Sequence, residues 1–121
     1  MRELHRRSGR IDLEADAAIT AGDEWFAART KNIGAGGVFV ATPRVRPVGD
    51  HVLLTFRLPA AAEPIATQAE VRWIRESPSP ENGGRTAGMG LRFVGAPLTA
   101  LIAIQEFLRA NEKPGTDTGG Q

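Results

Sequence analysis

Six short strand-like stretches, each closed by a turn signal and none separated from the next by a helical stripe, constrain this chain more than any other feature. From Ile11 to Ile19 apolar and polar residues alternate, which places Ile11, Leu13, Ala15, Ala17 and Ile19 on one face of a first strand. Thr20-Ala21-Gly22-Asp23 reads as a turn, and Glu24 to Ile33 as a second strand paired back on the first. Gly34-Ala35-Gly36-Gly37 interrupts regular structure, because three glycines in four positions favour positive φ and a tight reversal. Val38 to Ala41 leaves it as a third strand. Pro43, Pro47 and Gly49 punctuate a connection to a fourth strand, His51 to Leu58, and a loop over 60–64 leads to a fifth, Ile65 to Arg75. On that fifth strand period-two alternation assigns Val71 and Trp73 to one face. Residues 76–85 form a polar, Pro- and Gly-rich hairpin tip, and Thr86 to Val94 closes as a sixth strand.

Only the end is helical. Leu98, Leu101, Ile102, Gln105 and Leu108, with Phe107 beside them, trace a stripe spaced by three and four residues, expected to lie across one mouth of a barrel. Six strands followed by one helix, without βαβ alternation, predict an all-β fold with a C-terminal helix, an antiparallel barrel or sandwich rather than an α/β enzyme.

The length of 121 residues suits one domain with one hydrophobic core, divided here into a basic arm over 1–10, a barrel with its helix over 11–111 and a tail over 112–121. No apolar run approaches the roughly 20 residues needed to span a bilayer, so membrane insertion is not expected. The basic start lacks an apolar run of signal-peptide length, and there is no cysteine, so the expected compartment is the cytoplasm. His5 and His51 stand far apart with no paired carboxylates, so neither a metal site nor a catalytic residue is assigned. Trp73 and Phe93 are assigned to the core, and Arg72, Arg75 and Arg92 to the barrel surface, with Arg75 bordering any site.

The charge balance is nearly neutral, at +1, but Arg2, His5, Arg6, Arg7 and Arg10 crowd into ten residues. Arginine presents a planar fork suited to phosphates and guanine edges. Arg6-Arg7-Ser8-Gly9-Arg10 before a strand, followed two strands later by Asn32-Ile33-Gly34-Ala35-Gly36-Gly37, resembles the RxxxR and (D/N)xSxxG signatures of the PilZ family. The likeness extends to Val71-Arg72-Trp73-Ile74 and to Gly88-Met89-Gly90-Leu91-Arg92-Phe93 before a helix, covering nearly all of residues 6–111.

The resemblance implies a six-stranded antiparallel barrel that binds cyclic di-GMP on its outer surface. It assigns ligand contacts to Arg6, Arg7, Arg10, Asn32, Gly34, Gly36 and Gly37, with no cofactor besides the ligand. A guanidinium can serve guanine O6 and N7 or a phosphate while stacking on a purine. Gly34 departs from the pattern, which usually has serine there. The implied function is a stand-alone receptor that signals to an unidentified downstream protein. The alternative is a degenerate adaptor that binds protein and ignores the nucleotide. Nucleic-acid binding by the arm is disfavoured by the net charge of +1 and by the lack of aromatic residues among the arginines.

Overall fold

A computed structural model of the chain describes residues 9–76 and 86–112. Arg6, Arg7, most of the polar hairpin tip and the tail beyond residue 112 lie outside the described residues. Six strands, β1 (Ile11–Ala21), β2 (Glu24–Ile33), β3 (Gly37–Ala41), β4 (His51–Phe56), β5 (Ile65–Arg75) and β6 (Gly88–Val94), precede one helix, α1 (Leu98–Ala110). All neighbouring strands are antiparallel, and they close into a barrel in the order β1-β2-β3-β6-β5-β4. The barrel of the sequence reading is therefore correct.

β1 runs two residues further than its alternation indicated, and the β1–β2 hairpin turns on Gly22 and Asp23, with Ala21 facing Glu24. Gly22 supplies the left-handed conformation that so short a turn requires (φ 61°). Inward residues pack a single core: Leu13, Ala17 and Ile19 from β1, Phe26 and Ile33 from β2, Val38 and Val40 from β3, and Leu54 and Phe56 from β4. Val71, Leu91 and Phe93 complete it from β5 and β6. Thr30, Thr42 and Thr67 are the buried polar residues among those described, and Thr30 is fully enclosed. The Thr30 hydroxyl donates to the Leu13 carbonyl at 2.7 Å and accepts from the Ala15 N–H at 2.9 Å. Both partners lie where the β1–β2 register shifts, so the hydroxyl satisfies backbone groups that a bulge leaves without a ladder partner.

α1 packs on the barrel core, but not through the expected face. It buries Ala100 and Ile104, with Ala103, Phe107 and Leu108 partly covered, while Leu98, Leu101 and Ile102 face outward, Leu98 at 70% exposure. Both sets follow three- and four-residue spacing. The small alanines let the helix approach the barrel closely, which outweighs the larger apolar side chains on the other flank.

The β4–β5 loop contains a strained residue. Leu58 to Ala61 form a turn closed by the Ala61 N–H donating to the Leu58 carbonyl at 3.1 Å, with Ala60 at φ 65° in the place a type II turn normally gives to glycine. Left-handed strain of about 1–2 kcal/mol exceeds the extra unfolded-state entropy of a glycine, about 0.4–1 kcal/mol. Ala60→Gly is therefore expected to raise the urea midpoint, by about 0.5–1 kcal/mol of stability. A lowered midpoint would show that the Ala60 methyl group contributes packing larger than its strain.

Candidate functional site

The site begins where β1 starts and β2 ends. A register shift between Thr30 and Asn32 along the β2–β3 pairing turns Asn32 toward the outside while Thr30 stays buried. Arg10 lies just before β1, and Asp12 pairs with Asn32, so the arginine reaches the asparagine across the first rung. Arg10 Nε and Nη2 donate to Asn32 Oδ1 at 3.1 and 2.5 Å, and Nη1 donates to the Gly37 carbonyl at 3.3 Å. Partial burial lowers the guanidinium pKa from the usual arginine value, and an arginine so placed remains cationic at neutral pH. Among the described residues its partners are neutral, so its charge is not neutralised by a carboxylate.

The β2–β3 turn is closed by the Gly34 N–H donating to the Gly37 carbonyl at 2.9 Å and tied to β6 by the Phe93 N–H donating to the Gly36 carbonyl at 2.9 Å. Contrary to the sequence-based expectation, none of Gly34, Gly36 and Gly37 adopts positive φ; among the described residues the glycines that do are Gly22, Gly49 and Gly95. Space, rather than φ, governs two of the turn's glycines. A Cβ on Gly37 would lie 2.2 Å from the Leu91 carbonyl oxygen, and one on Gly34 would lie 3.0 Å from Arg10 Nη1. Gly36 has open space.

The outer face of β3, β6 and β5 continues the site. Phe39 and Trp73 stack with ring centroids 5.1 Å apart and planes within 7°. The Arg75 guanidinium lies 4.9 Å from the Phe39 centroid and donates to the Thr86 carbonyl at 2.9 Å. Two glycines of β6 make room for the rings: a Cβ on Gly88 would meet Phe39, and one on Gly90 would meet the Trp73 indole. Trp73 is thus not a core residue but 46% exposed, whereas Phe93 is buried as expected. The reason is a β-bulge. Val71 pairs with Leu91 but Trp73 with Gly90, so Arg72 is an extra residue and Trp73 faces opposite to Val71.

One open concavity of about 720 Å³ joins Arg10, Asn32, Gly36 and Gly37 to Phe39, Trp73 and Arg75. Gly34 stands behind Arg10 rather than on the wall. Lys31, Arg72 and Arg92 add positive charge at the rim, but each pairs with an acid: Lys31 with Glu14 at 2.9 Å, Arg92 with Glu70 at 2.7 Å and Arg72 with Glu70 at 3.9 Å. The bond from Arg92 holds the Glu70 carboxyl below its ordinary pKa, so this acid stays ionised to lower pH. Arg10 and Arg75 are the two lining guanidiniums without a carboxylate partner among the described residues, and the flat Phe39–Trp73 surface of the same concavity lies against Arg75. The arrangement suits a flat, anionic molecule. Sequence reasoning missed Phe39 and Trp73; the signal that marks them is Gly88-Met-Gly90, which bares two successive outward positions of β6.

The model of the PilZ domain family matches residues 4–110. No curated protein matches the chain significantly in sequence. Among solved structures, the chain resembles the Bacillus subtilis inhibitor of motility MotI/DgrA, with 25% identity and a TM-score of 0.70 over 91% of this chain and 51% of that one. It thus spans about half of the Bacillus protein. The PilZ domain of YcgR from Escherichia coli, determined with c-di-GMP, shares the fold at 14% identity, a TM-score of 0.64 and coverage of 93% and 95%. PlzA of Borreliella burgdorferi, determined in complex with c-di-GMP, shares it at 13% identity and a TM-score of 0.60, over 88% of this chain and 41% of that one. A family match across the whole barrel and helix, on a fold shared with these structures, makes this chain a member of the PilZ domain family.

Proposed function

We propose that this domain is a receptor for cyclic di-GMP, binding it in the concavity between Arg10 and the Phe39–Trp73 stack and passing the signal to a partner protein. The carrying observation is Arg10: a guanidinium held over the Asn32–Gly37 edge with neutral partners, lining the same concavity as the Phe39–Trp73 stack. Two phosphates supply the negative charge the site lacks, and a guanine supplies a flat face for Trp73 and acceptors for an arginine fork. Arg6 and Arg7, from the segment before β1, are proposed to add forks to the same ligand. The partnership of such a site with a messenger fits a cytoplasmic protein, and the role is that of a binding module rather than a catalyst, with no cofactor beyond the ligand.

Calorimetric titration tests this directly. Cyclic di-GMP is expected to give a saturable heat, with GTP and cyclic AMP as flat controls. A flat trace with cyclic di-GMP at tens of micromolar would instead support the adaptor reading, which the glycine at 34 favours.

Gly34 itself provides a second test. Because its φ lies outside the left-handed region, a side chain there meets no backbone strain. The neighbours that must yield by a few tenths of an ångström are the flexible end of Arg10 and, at 3.3 Å, the Gly9 carbonyl oxygen, which precedes the first strand. Gly34→Ser is expected to leave the melting temperature nearly unchanged. It places a hydroxyl against the Arg10 guanidinium from behind the concavity, where it steadies the arginine for the ligand, so affinity rises several-fold, for about 1 kcal/mol from one hydrogen bond. Weaker binding at unchanged stability would mean that the hydroxyl displaces Arg10 from its position.

A further inference from the structure

Among the described residues, five cationic side chains and no acidic one line the concavity, but they are not equally available to a ligand. Arg10 and Arg75 have neutral partners, and Lys31 is paired with Glu14. Arg72 and Arg92 share one carboxylate, Glu70, which does not itself line the wall. The sharing follows from the sheet. Glu70 on β5 is the cross-strand partner of Arg92 on β6, and Arg72 is the extra residue of the β5 bulge. Arg92 is in turn the partner of Gly37 on β3, whose carbonyl accepts from Arg10 Nη1 at 3.3 Å. One row therefore runs from Glu70 through Arg92 to the backbone that seats Arg10. Both arginines are about half exposed, so these ion pairs add little to stability. What they change is the charge that the wall offers: two guanidiniums and one carboxylate sum to +1, where the arginines alone would supply +2.

We propose that Glu70 is the residue by which this site discriminates among guanine nucleotides according to their charge, holding Arg72 and Arg92 back from an anion that enters. The inference rests on the nucleotide reading of the concavity. Cyclic di-GMP, with two phosphodiesters, carries two negative charges, which Arg10 and Arg75 already match. GTP carries about four, because a terminal phosphate loses its second proton near about pH 6. Its extra charge calls on the two guanidiniums that Glu70 occupies. Coulomb energy scales with the ligand's charge, so one carboxylate at the rim penalises GTP about twice as much as the cyclic diester. A gain of about threefold for the doubly charged ligand on removing that carboxylate is then about tenfold for the quadruply charged one. The class admitted is the cyclic diester, and the class held out is the linear guanine nucleotide with a terminal phosphate.

Glu70→Gln tests this, because glutamine keeps the size of the side chain and can still accept from Arg92 while losing the charge. A nearly unchanged melting temperature is the folding check. The Trp73 indole and Gly37 amide signals of a nitrogen-15 correlation spectrum are followed during titration with cyclic di-GMP and, separately, with magnesium-free GTP to about 1 mM. The expected result is a gain of at least about tenfold for GTP and about threefold for cyclic di-GMP, both shrinking as salt rises. Adding Arg92→Gln to Glu70→Gln should cancel most of the GTP gain. Glu24→Gln should give none, since it removes a carboxylate that pairs with Arg44 and Arg46 outside the concavity. No gain with GTP, an equal gain for both ligands, a gain that survives Arg92→Gln, or one that Glu24→Gln reproduces overturns the proposal. Failure of the nucleotide reading looks different. A wild-type chain silent toward cyclic di-GMP, with a Glu70→Gln variant that takes up GTP, sinks that reading and leaves the discrimination by Glu70 standing.

Discussion

Gly37→Ala is expected to destabilise the barrel by about 3 kcal/mol, whereas Gly36→Ala, one residue earlier, should change stability by no more than about 0.5 kcal/mol. Neither glycine has positive φ, so backbone conformational preference does not separate them. What separates them is space. A methyl group on Gly37 would sit 2.2 Å from the Leu91 carbonyl oxygen, on the strand to which β3 is paired. That neighbour is backbone and cannot rotate away, so relief requires β3 and β6 to part, which places the cost at the upper end for an overfilled site. Gly36 has no atom within 4 Å of the same position, although its carbonyl accepts from the Phe93 N–H, a bond that alanine keeps. Urea unfolding of the two variants decides the matter. Similar midpoints would mean that the turn can relocate and that the β3–β6 contact is not what requires a glycine.

The second large effect is on binding. Arg10→Ala is expected to cost about 1.5–3 kcal/mol of cyclic di-GMP affinity, roughly 10- to 150-fold, as a charge-assisted contact is lost. Stability should stay nearly constant, because the bonds removed lie at the surface. Arg10→Lys should rescue little: one ammonium cannot span Asn32 Oδ1, the Gly37 carbonyl and a ligand at once. Arg6→Ala is expected to lose affinity on the same scale. Arg44→Ala is the control, since its guanidinium lies over Phe26, 5.3 Å from the ring centroid, away from the concavity. Equal losses for Arg10 and Arg44 would indicate diffuse electrostatic attraction instead of a site.

The barrel was legible because its strands are encoded locally, in alternation and in turn residues. Gly22-Asp23 punctuates one hairpin, and Ile65 to Arg75 emerges with the bounds read from sequence. Long-range geometry was not legible. Trp73 was assigned beside Val71 because period-two alternation assumes an uninterrupted ladder, and the extra residue at Arg72 is set by pairing with β6. The helix was found but its face was misassigned, since Ala100 and Ala103 carry weak hydrophobic signals and yet allow the closest packing. The turn over residues 34–37 was recognised, but its glycines were credited with φ freedom when Gly37 is instead needed for its closeness to Leu91. Motif spacing identified Arg10 and Asn32 as belonging together, and their direct contact explains the pairing physically: the asparagine aims the arginine.

The most direct test of the proposed site uses the chain's two tryptophans, which give two separate indole N–H signals in a nitrogen-15 correlation spectrum. Trp73 lines the concavity, while Trp25 lies beside the β1–β2 turn, outside it. Titration with cyclic di-GMP should shift the Trp73 indole together with the amides of Gly36, Gly37 and Gly90, leaving the Trp25 indole in place. Saturable shifts confined to Trp25, or no shift at either indole, would contradict a nucleotide seated between Arg10 and the aromatic stack.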